Sequence, residues 1–251
     1  MSDSVILTTY FSHKKHPNNP NDKWVVGKAE DGRVLQNDIK YIFPWYNSIN
    51  NLGLNGIVFY DNLTPDFITK YQTDNIKFIK TVPSDYSNND WRFFVYREFL
   101  RENKYDTVFL TDGSDVTVVK DPSQIVIDYS DTHLFVCKDS IKLRDFGYID
   151  LHKQARWENY SWFAMEHLKG KLDLINMGVI GGKFDNIVDF LDKFCVTRLK
   201  MGAPDFNADM WVGQYVFRHL LSSKKILIGN PFTSEFKKYQ KDRKDVYFIH
   251  K

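Results

Sequence analysis

Cysteine is scarce in this sequence: 251 residues hold two, Cys137 and Cys195. Each sits in an apolar stretch far from the other, which reads as two buried thiols rather than a bridge. No CxxC or His-rich cluster offers a structural zinc site. Long apolar runs are missing too. No stretch approaches the roughly 18 apolar residues of a spanning helix, so no transmembrane segment is expected. The opening MSDSVILTTYF lacks the basic start and the apolar length of a signal peptide, which makes a cytoplasmic location the expectation. Nor is there an excess of one charge: 34 Lys and Arg face 32 Asp and Glu, a net +2. Nucleic acid and membrane surfaces attract concentrated basic fields, so neither is an expected partner. Repeats, low-complexity tracts and linkers are also lacking, and one domain over 1–251 is the working organisation.

What the chain has in quantity is aromatic side chains, 16% of its residues. Such a chain does not stay disordered. Apolar runs at 5–11, 56–61, 76–81, 107–111, 116–119, 132–137, 175–180, 225–228 and 246–250 read as strands. Helical patterns fall at 39–50, broken near Pro44, and at 89–103, 151–169, 184–194 and 207–221. On the 89–103 helix, Trp91, Phe94, Val95, Phe99 and Leu100 lie near one face. Strands alternating with helices predict an α/β fold, a mostly parallel central sheet with helices on both faces. The Asn- and Pro-rich stretch after residue 11 is a long connection for a compact domain, of the kind that is often functional.

The sharpest local feature is TVFLTDGSDVTVV, residues 107–119. A buried strand delivers Asp112 and Asp115 into a Gly-containing turn, and ligands of open α/β sheets collect beyond the carboxyl ends of strands. Two such carboxylates can converge on a hard cation, Mg²⁺ or Mn²⁺, or can simply accept backbone amides of the turn.

Together with the later Asn-x-Gly-x-x-Gly-Gly segment at 176–182, this acidic element resembles the glycosyltransferases of the GT-A fold. The likeness covers the organisation of most of the chain, with three or four distinctive short segments. It implies a single Rossmann-like domain, with a nucleotide-binding half at about 1–119 and an acceptor-side half at about 120–251. It also implies a UDP- or GDP-sugar donor, a carbohydrate acceptor and Mn²⁺ or Mg²⁺. On the family's pattern, Thr8, Thr9, Tyr10 and Phe11 would hold the nucleotide, Asp61 the base or ribose, and the DGSD turn, with Gly113 and Ser114, the metal and donor. The usual pair has one residue between its acids and this one has two. Asp115 is then the firmer metal ligand, while Asp112 is left to metal, ribose or turn.

The segment INMGVIGG matches the place where donor sugar and acceptor meet. Asn176 can bond a sugar hydroxyl, and Gly178, Gly181 and Gly182 let a backbone approach a ligand closely. Asn207 or Asp209 can cap the helix that follows. The resemblance makes Asp209 the carboxylate near the anomeric carbon or acceptor hydroxyl, a general base if the reaction inverts, with Glu166 in reserve. His250, after the strand VYFIH, would complete the metal site, and Lys251 would face the diphosphate. Arg92 and Arg97 are phosphate candidates with Lys14, Lys15 and His16, Arg97 being preferred for its central place on the helix. Trp157, Tyr160, Trp162 and Trp211 can line an acceptor cleft, since indole and phenol rings offer sugars a flat apolar face with a polar edge.

Three rivals are weaker on the residues. An aspartate-nucleophile phosphotransferase or phosphatase needs one residue between its acids and normally places them early in the domain. A nucleotidylyltransferase needs a glycine-rich loop after the first strand, and TTYFSHKKH has none. A carbohydrate- or nucleotide-binding α/β protein without transferase activity would need the acids only for turns.

Overall fold

The computed structural model describes residues 3–15, 33–145 and 172–251. Four of its strands are parallel neighbours: β1 (Ser4–Tyr10), β2 (Gly56–Tyr60), β3 (Ile76–Lys80) and β4 (Thr107–Thr111). β6 (Leu134–Lys142), β7 (Asp173–Lys183) and β8 (Ile226–Ile228) complete a seven-stranded sheet ordered β3-β2-β1-β4-β7-β6-β8. Only β7 runs against its neighbours. The expected α/β class and mostly parallel sheet are therefore present. All residues of β2 and β4 are buried, whereas edge strand β3 exposes Lys77 and Lys80. Charge on an edge discourages further strand pairing.

Period-two alternation feeds two cores. Val5 and Leu7 of β1 and Val108 and Leu110 of β4 face α3 (Asn88–Glu102), α5 (Phe184–Met201) and α6 (Asp209–Tyr215). Ile6 and Tyr10, with Phe109, face α1 (Phe43–Leu52), α2 (Pro65–Tyr71) and α4 (Ser123–Asp128). Most of the described aromatic residues serve these cores. Phe93 meets Phe194 with centroids 4.2 Å apart, and Phe190 stacks on Phe217 at 4.9 Å.

Several boundaries differ from expectation for definable reasons. Pro44 lies in the first turn of α1, where its missing N–H breaks no bond, and a 3₁₀ turn at Ile39–Tyr41 precedes it. α2 and α4 escape a periodicity reading because they are short; α2 buries only Phe67. α3 buries Asp90, Arg92, Phe93, Val95, Tyr96 and Leu100, a face rotated from the one its large apolar residues mark. Trp91 and Phe94 instead form a shoulder with Tyr86, ring centroids 5.6 and 5.1 Å apart. β6, β7 and α5 all run longer than their apolar cores.

Strand order turns at β1, whose neighbours β2 and β4 lead the chain to opposite sides. The crevice beyond the carboxyl ends of β1 and β4 is thus the topological switch point, where such sheets bind ligands. A second, two-stranded sheet lies there. β5 (Val116–Val118) pairs antiparallel with β9 (Phe248–His250), setting Val116 opposite His250.

Candidate metal centre

Asp112, Asp115 and His250 converge at this switch point, offering ligand atoms that all lie within 4.8 Å of one another. Each arrives for a separate reason. Asp112 follows β4 two positions beyond Leu110, and its backbone N–H donates to Gly178 O of β7 at 2.8 Å. Gly113 packs so closely that a β-carbon would lie 2.9 Å from Thr8 Oγ1 and 3.0 Å from an Ile42 methyl carbon. Asp115 is held by the start of β5, where Lys251 N–H donates to its carbonyl at 3.1 Å. β9 carries His250 opposite β5. Its N–H donates to Ser234 Oγ at 2.8 Å, and that hydroxyl donates back to His250 O at 3.2 Å.

The imidazole is completely buried, and its Nε2 has no hydrogen-bond partner. Nε2 lies 3.6 Å from Asp115 Oδ2 and 3.8 Å from Asp112 Oδ2, too far for good hydrogen bonds and on the side where both carboxylates converge. A buried orphan nitrogen beside two carboxylates fits a divalent cation, since carboxylate oxygens and imidazole are both ordinary ligands of such ions. Burial, the largest influence, acts to lower the His250 pKa, but Asp115 and Cys137 together outweigh it and the value is pushed up to about 10. A dication among the same groups would supply the opposing positive charge in place of that proton.

Gly178 makes the convergence possible. A β-carbon there would lie 2.2 Å from His250 Cε1 and 2.7 Å from Asp112 Oδ2. Gly181 and Gly182 serve packing instead: their β-carbons would meet the Phe109 ring at 2.2 Å and His133 O at 3.1 Å. These two are not ligand-approach glycines. Asn176 is buried, accepts from Gly178 N–H at 2.8 Å and donates to Asp139 at 3.2 Å. It shapes the strand beside the site.

The cation at this site is Arg92, not Arg97. Arg92 is buried on α3, ion-pairs with Asp112 through Nη1, and reaches Asp209 Oδ2 and Met177 O through Nη2, both at 3.2 Å. Arg97 pairs instead with Asp192 of α5 at 2.5 Å. Asp209 is also buried and accepts from Met210 N–H at 2.8 Å. Burial raises its pKa, with Arg92 the principal opposing influence. Its carboxylate is thus engaged with Arg92 and the start of α6 rather than turned to solvent.

A second buried pair continues from here. Arg198 Nε lies 3.2 Å from Asp90 Oδ2, both side chains being fully buried. The same Asp90 oxygen accepts from Ser87 Oγ at 2.8 Å and Ala208 N at 3.2 Å, and Ser87 Oγ also reaches Asn207 Oδ1 at 2.9 Å. Asn207 thus belongs to this network, and no side chain caps α6.

Of the other sequence candidates, Thr8 is buried and donates to Thr111 O at 3.0 Å, tying β1 to β4. Thr9 is partly exposed. Tyr10 lies in the α1-side core, with its hydroxyl 2.9 Å from Asp38 O, so it is not a nucleotide-facing ring. Phe11 and Asp61 do meet, with Lys14, Tyr86, Asn88 and Trp91, around a narrow crevice with room for about one water. Asp61 there accepts from the backbone N–H groups of Ser12 and His13 at 2.9 and 3.0 Å, fixing the exit from β1. Lys14 Nζ donates to Tyr86 O at 3.3 Å. Ser114 Oγ lies 3.5 Å from Asp115 Oδ1. Trp211 is buried in the α5–α6 core, which corrects its assignment to an acceptor cleft. His16, Trp157, Tyr160, Trp162 and Glu166 lie outside the described residues.

Sequence reasoning passed over Tyr41 and the contact of Cys137 with His250. Tyr41 is buried near Asp115; burial foremost, and that carboxylate next, push its phenol well above the ordinary value. Both cysteines are free and buried, as expected. Among the described residues, no helix is long and apolar enough to cross a membrane. No protein-family model matches the chain, and no curated protein matches it.

Proposed function

We propose that this chain is a metal-dependent glycosyltransferase that moves a sugar from a nucleoside-diphosphate sugar, of UDP or GDP type, to an acceptor hydroxyl. The observation that carries the reading is the meeting of Asp112, Asp115 and the orphan Nε2 of His250 at the switch point.

Asp112, Asp115 and His250 would hold Mn²⁺ or Mg²⁺. When bound, that ion supplies Lewis-acid stabilisation of a departing diphosphate. In the transfer, the acceptor oxygen bonds the anomeric carbon, the bond from that carbon to phosphate oxygen breaks, and the electron pair leaves with the nucleotide. The acceptor's proton passes to the departing diphosphate or to water as its oxygen bonds. Arg92 adds a fixed positive charge beside Asp112, and Asp209 holds that guanidinium in place. Asp209 is therefore a positioning residue in this reading, which differs from a role as general base.

A thermal-shift panel of UDP-, GDP-, CMP- and dTDP-sugars with and without Mn²⁺ tests the proposal. One donor class should stabilise the fold by mass action, and more so with the metal. Asp115→Ala should abolish donor hydrolysis while leaving the fold intact. If neither Mn²⁺ nor Mg²⁺ alters nucleotide binding or hydrolysis, the proposal fails.

A further inference from the structure

Cys137 touches the face of His250 that looks away from the carboxylates. Its buried Sγ lies 3.3 Å from Nδ1, 3.5 Å from Lys138 O and 3.8 Å from Ser234 O. A thiol has one proton to give, and both backbone carbonyls can take it. With that proton given to a carbonyl, the sulfur is left as an acceptor, and the ring nitrogen facing it is the donor. With the proton on Nδ1, a neutral imidazole presents a bare Nε2 to Asp112 and Asp115. The reverse arrangement would put a hydrogen on Nε2 and close that side of the ring to a cation. The other nitrogen of a metal-bound histidine commonly fixes its tautomer through such an outer contact.

The rest of the pocket packs closely around the ring. Phe236 lies against it with centroids 4.3 Å apart. The lack of a side chain at Gly178 clears the space by Cε1, and the paired hydrogen bonds with Ser234 fix the backbone. We infer that Cys137 is a positioning residue: by accepting from His250 Nδ1–H it holds the imidazole with Nε2 open to a divalent cation. This role rests on the proposed metal site.

The test uses the full chain and two variants, Cys137→Ser, which keeps a small acceptor, and Cys137→Ala, which removes it. In the Mg²⁺-loaded chain, where the ion takes the place of the Nε2 proton, ¹H–¹⁵N spectra should show a slowly exchanging His250 Nδ1–H that Cys137→Ala exposes to faster exchange. Titration with Mn²⁺ alone, followed by the loss of free-ion paramagnetic resonance signal, should show affinity reduced about 10- to 100-fold in Cys137→Ala and largely restored in Cys137→Ser. A bare Nδ1 overturns the inference. So does equal Mn²⁺ affinity in wild type and Cys137→Ala, or equal weakening in both variants with their melting temperatures unchanged. A wild-type chain that binds neither Mn²⁺ nor Mg²⁺ overturns the metal reading itself, and the positioning role of Cys137 falls with it. The two failures are thus distinct.

Discussion

His250 stands so close over Gly178 that a β-carbon at position 178 would lie 2.2 Å from its Cε1. Neither residue can accommodate a larger neighbour without moving the ring away from Asp112 and Asp115. Gly178→Ala should therefore weaken Mn²⁺ binding as well as costing about 1–3 kcal/mol in overpacking. Gly181→Ala is the control. It would strike the Phe109 ring at the same 2.2 Å but inside the aromatic core. It should lower the melting temperature while leaving Mn²⁺ affinity unchanged, and equal Mn²⁺ losses in both variants would contradict the role assigned to Gly178.

Arg92 lies between two carboxylates that have different exposure. Asp112 is partly open, whereas Asp209 is buried and relies on Arg92 as its charged partner within 4 Å. Arg92→Met should cost about 3–5 kcal/mol in urea unfolding, because it strands a buried charge. Adding Asp209→Asn should recover part of that loss, since the second change removes the stranded carboxylate and the two residues are in contact. Additive losses in the double variant would show that the pair is not coupled.

The contrast between Arg92 and Asp115 shows what a sequence can disclose. Asp115 lies one short turn after an unbroken β-branched and apolar run, so its place beyond a buried strand is evident from neighbours in the chain. Arg92 sits beside Trp91 on an amphipathic helix, where an arginine ordinarily faces water. Its burial depends on Asp209, 117 positions away, and on β7 supplying Met177 O. No local period encodes such a partnership. His250 is legible as a strand-end candidate, but its orphan Nε2 and the sulfur behind it emerge only when β9 pairs with β5. Conversely, Tyr10 and Trp211 resemble ligand-facing rings because aromatic type does not tell which side of an element faces a core. Most of the sheet is legible, since most of its strands are short apolar runs with clear stops, whereas β6 and β7 run past theirs.

Arg198 ties down the segment that leads into α6. Its guanidinium donates to the carbonyls of Gly202, Ala203, Pro204 and Phe206 at 2.6 to 3.3 Å while pairing with Asp90. Arg198→Met preserves much of the apolar stem and removes every one of these bonds. A loss of about 3 kcal/mol or more is expected from the stranded Asp90. Amide hydrogen exchange should rise through residues 203–210, reaching Asp209. Unchanged exchange there would separate Arg198 from the placement of the candidate site.

Asp90 gives this network a pH signature. Burial is the main influence raising its pKa to about 6, with Arg198 pulling down and Asp209 pushing up. The unfolded chain releases this proton near its ordinary value of 3.8. Between about pH 4 and pH 6 the folded state therefore holds a proton that the unfolded state has lost, and this group's contribution to stability falls as pH rises. Asp90→Asn cannot titrate, yet its amide oxygen can still accept from Ser87 and Ala208. Stability of wild type relative to Asp90→Asn should then decline by on the order of 2 kcal/mol from pH 4 to pH 7. Urea unfolding of both proteins at unit pH steps measures it. In Arg198→Met the decline should extend to higher pH, because the group that favours the Asp90 carboxylate is gone. A relative stability that instead rises across the interval would mean that the folded state favours the ionised carboxylate, with Arg198 outweighing burial.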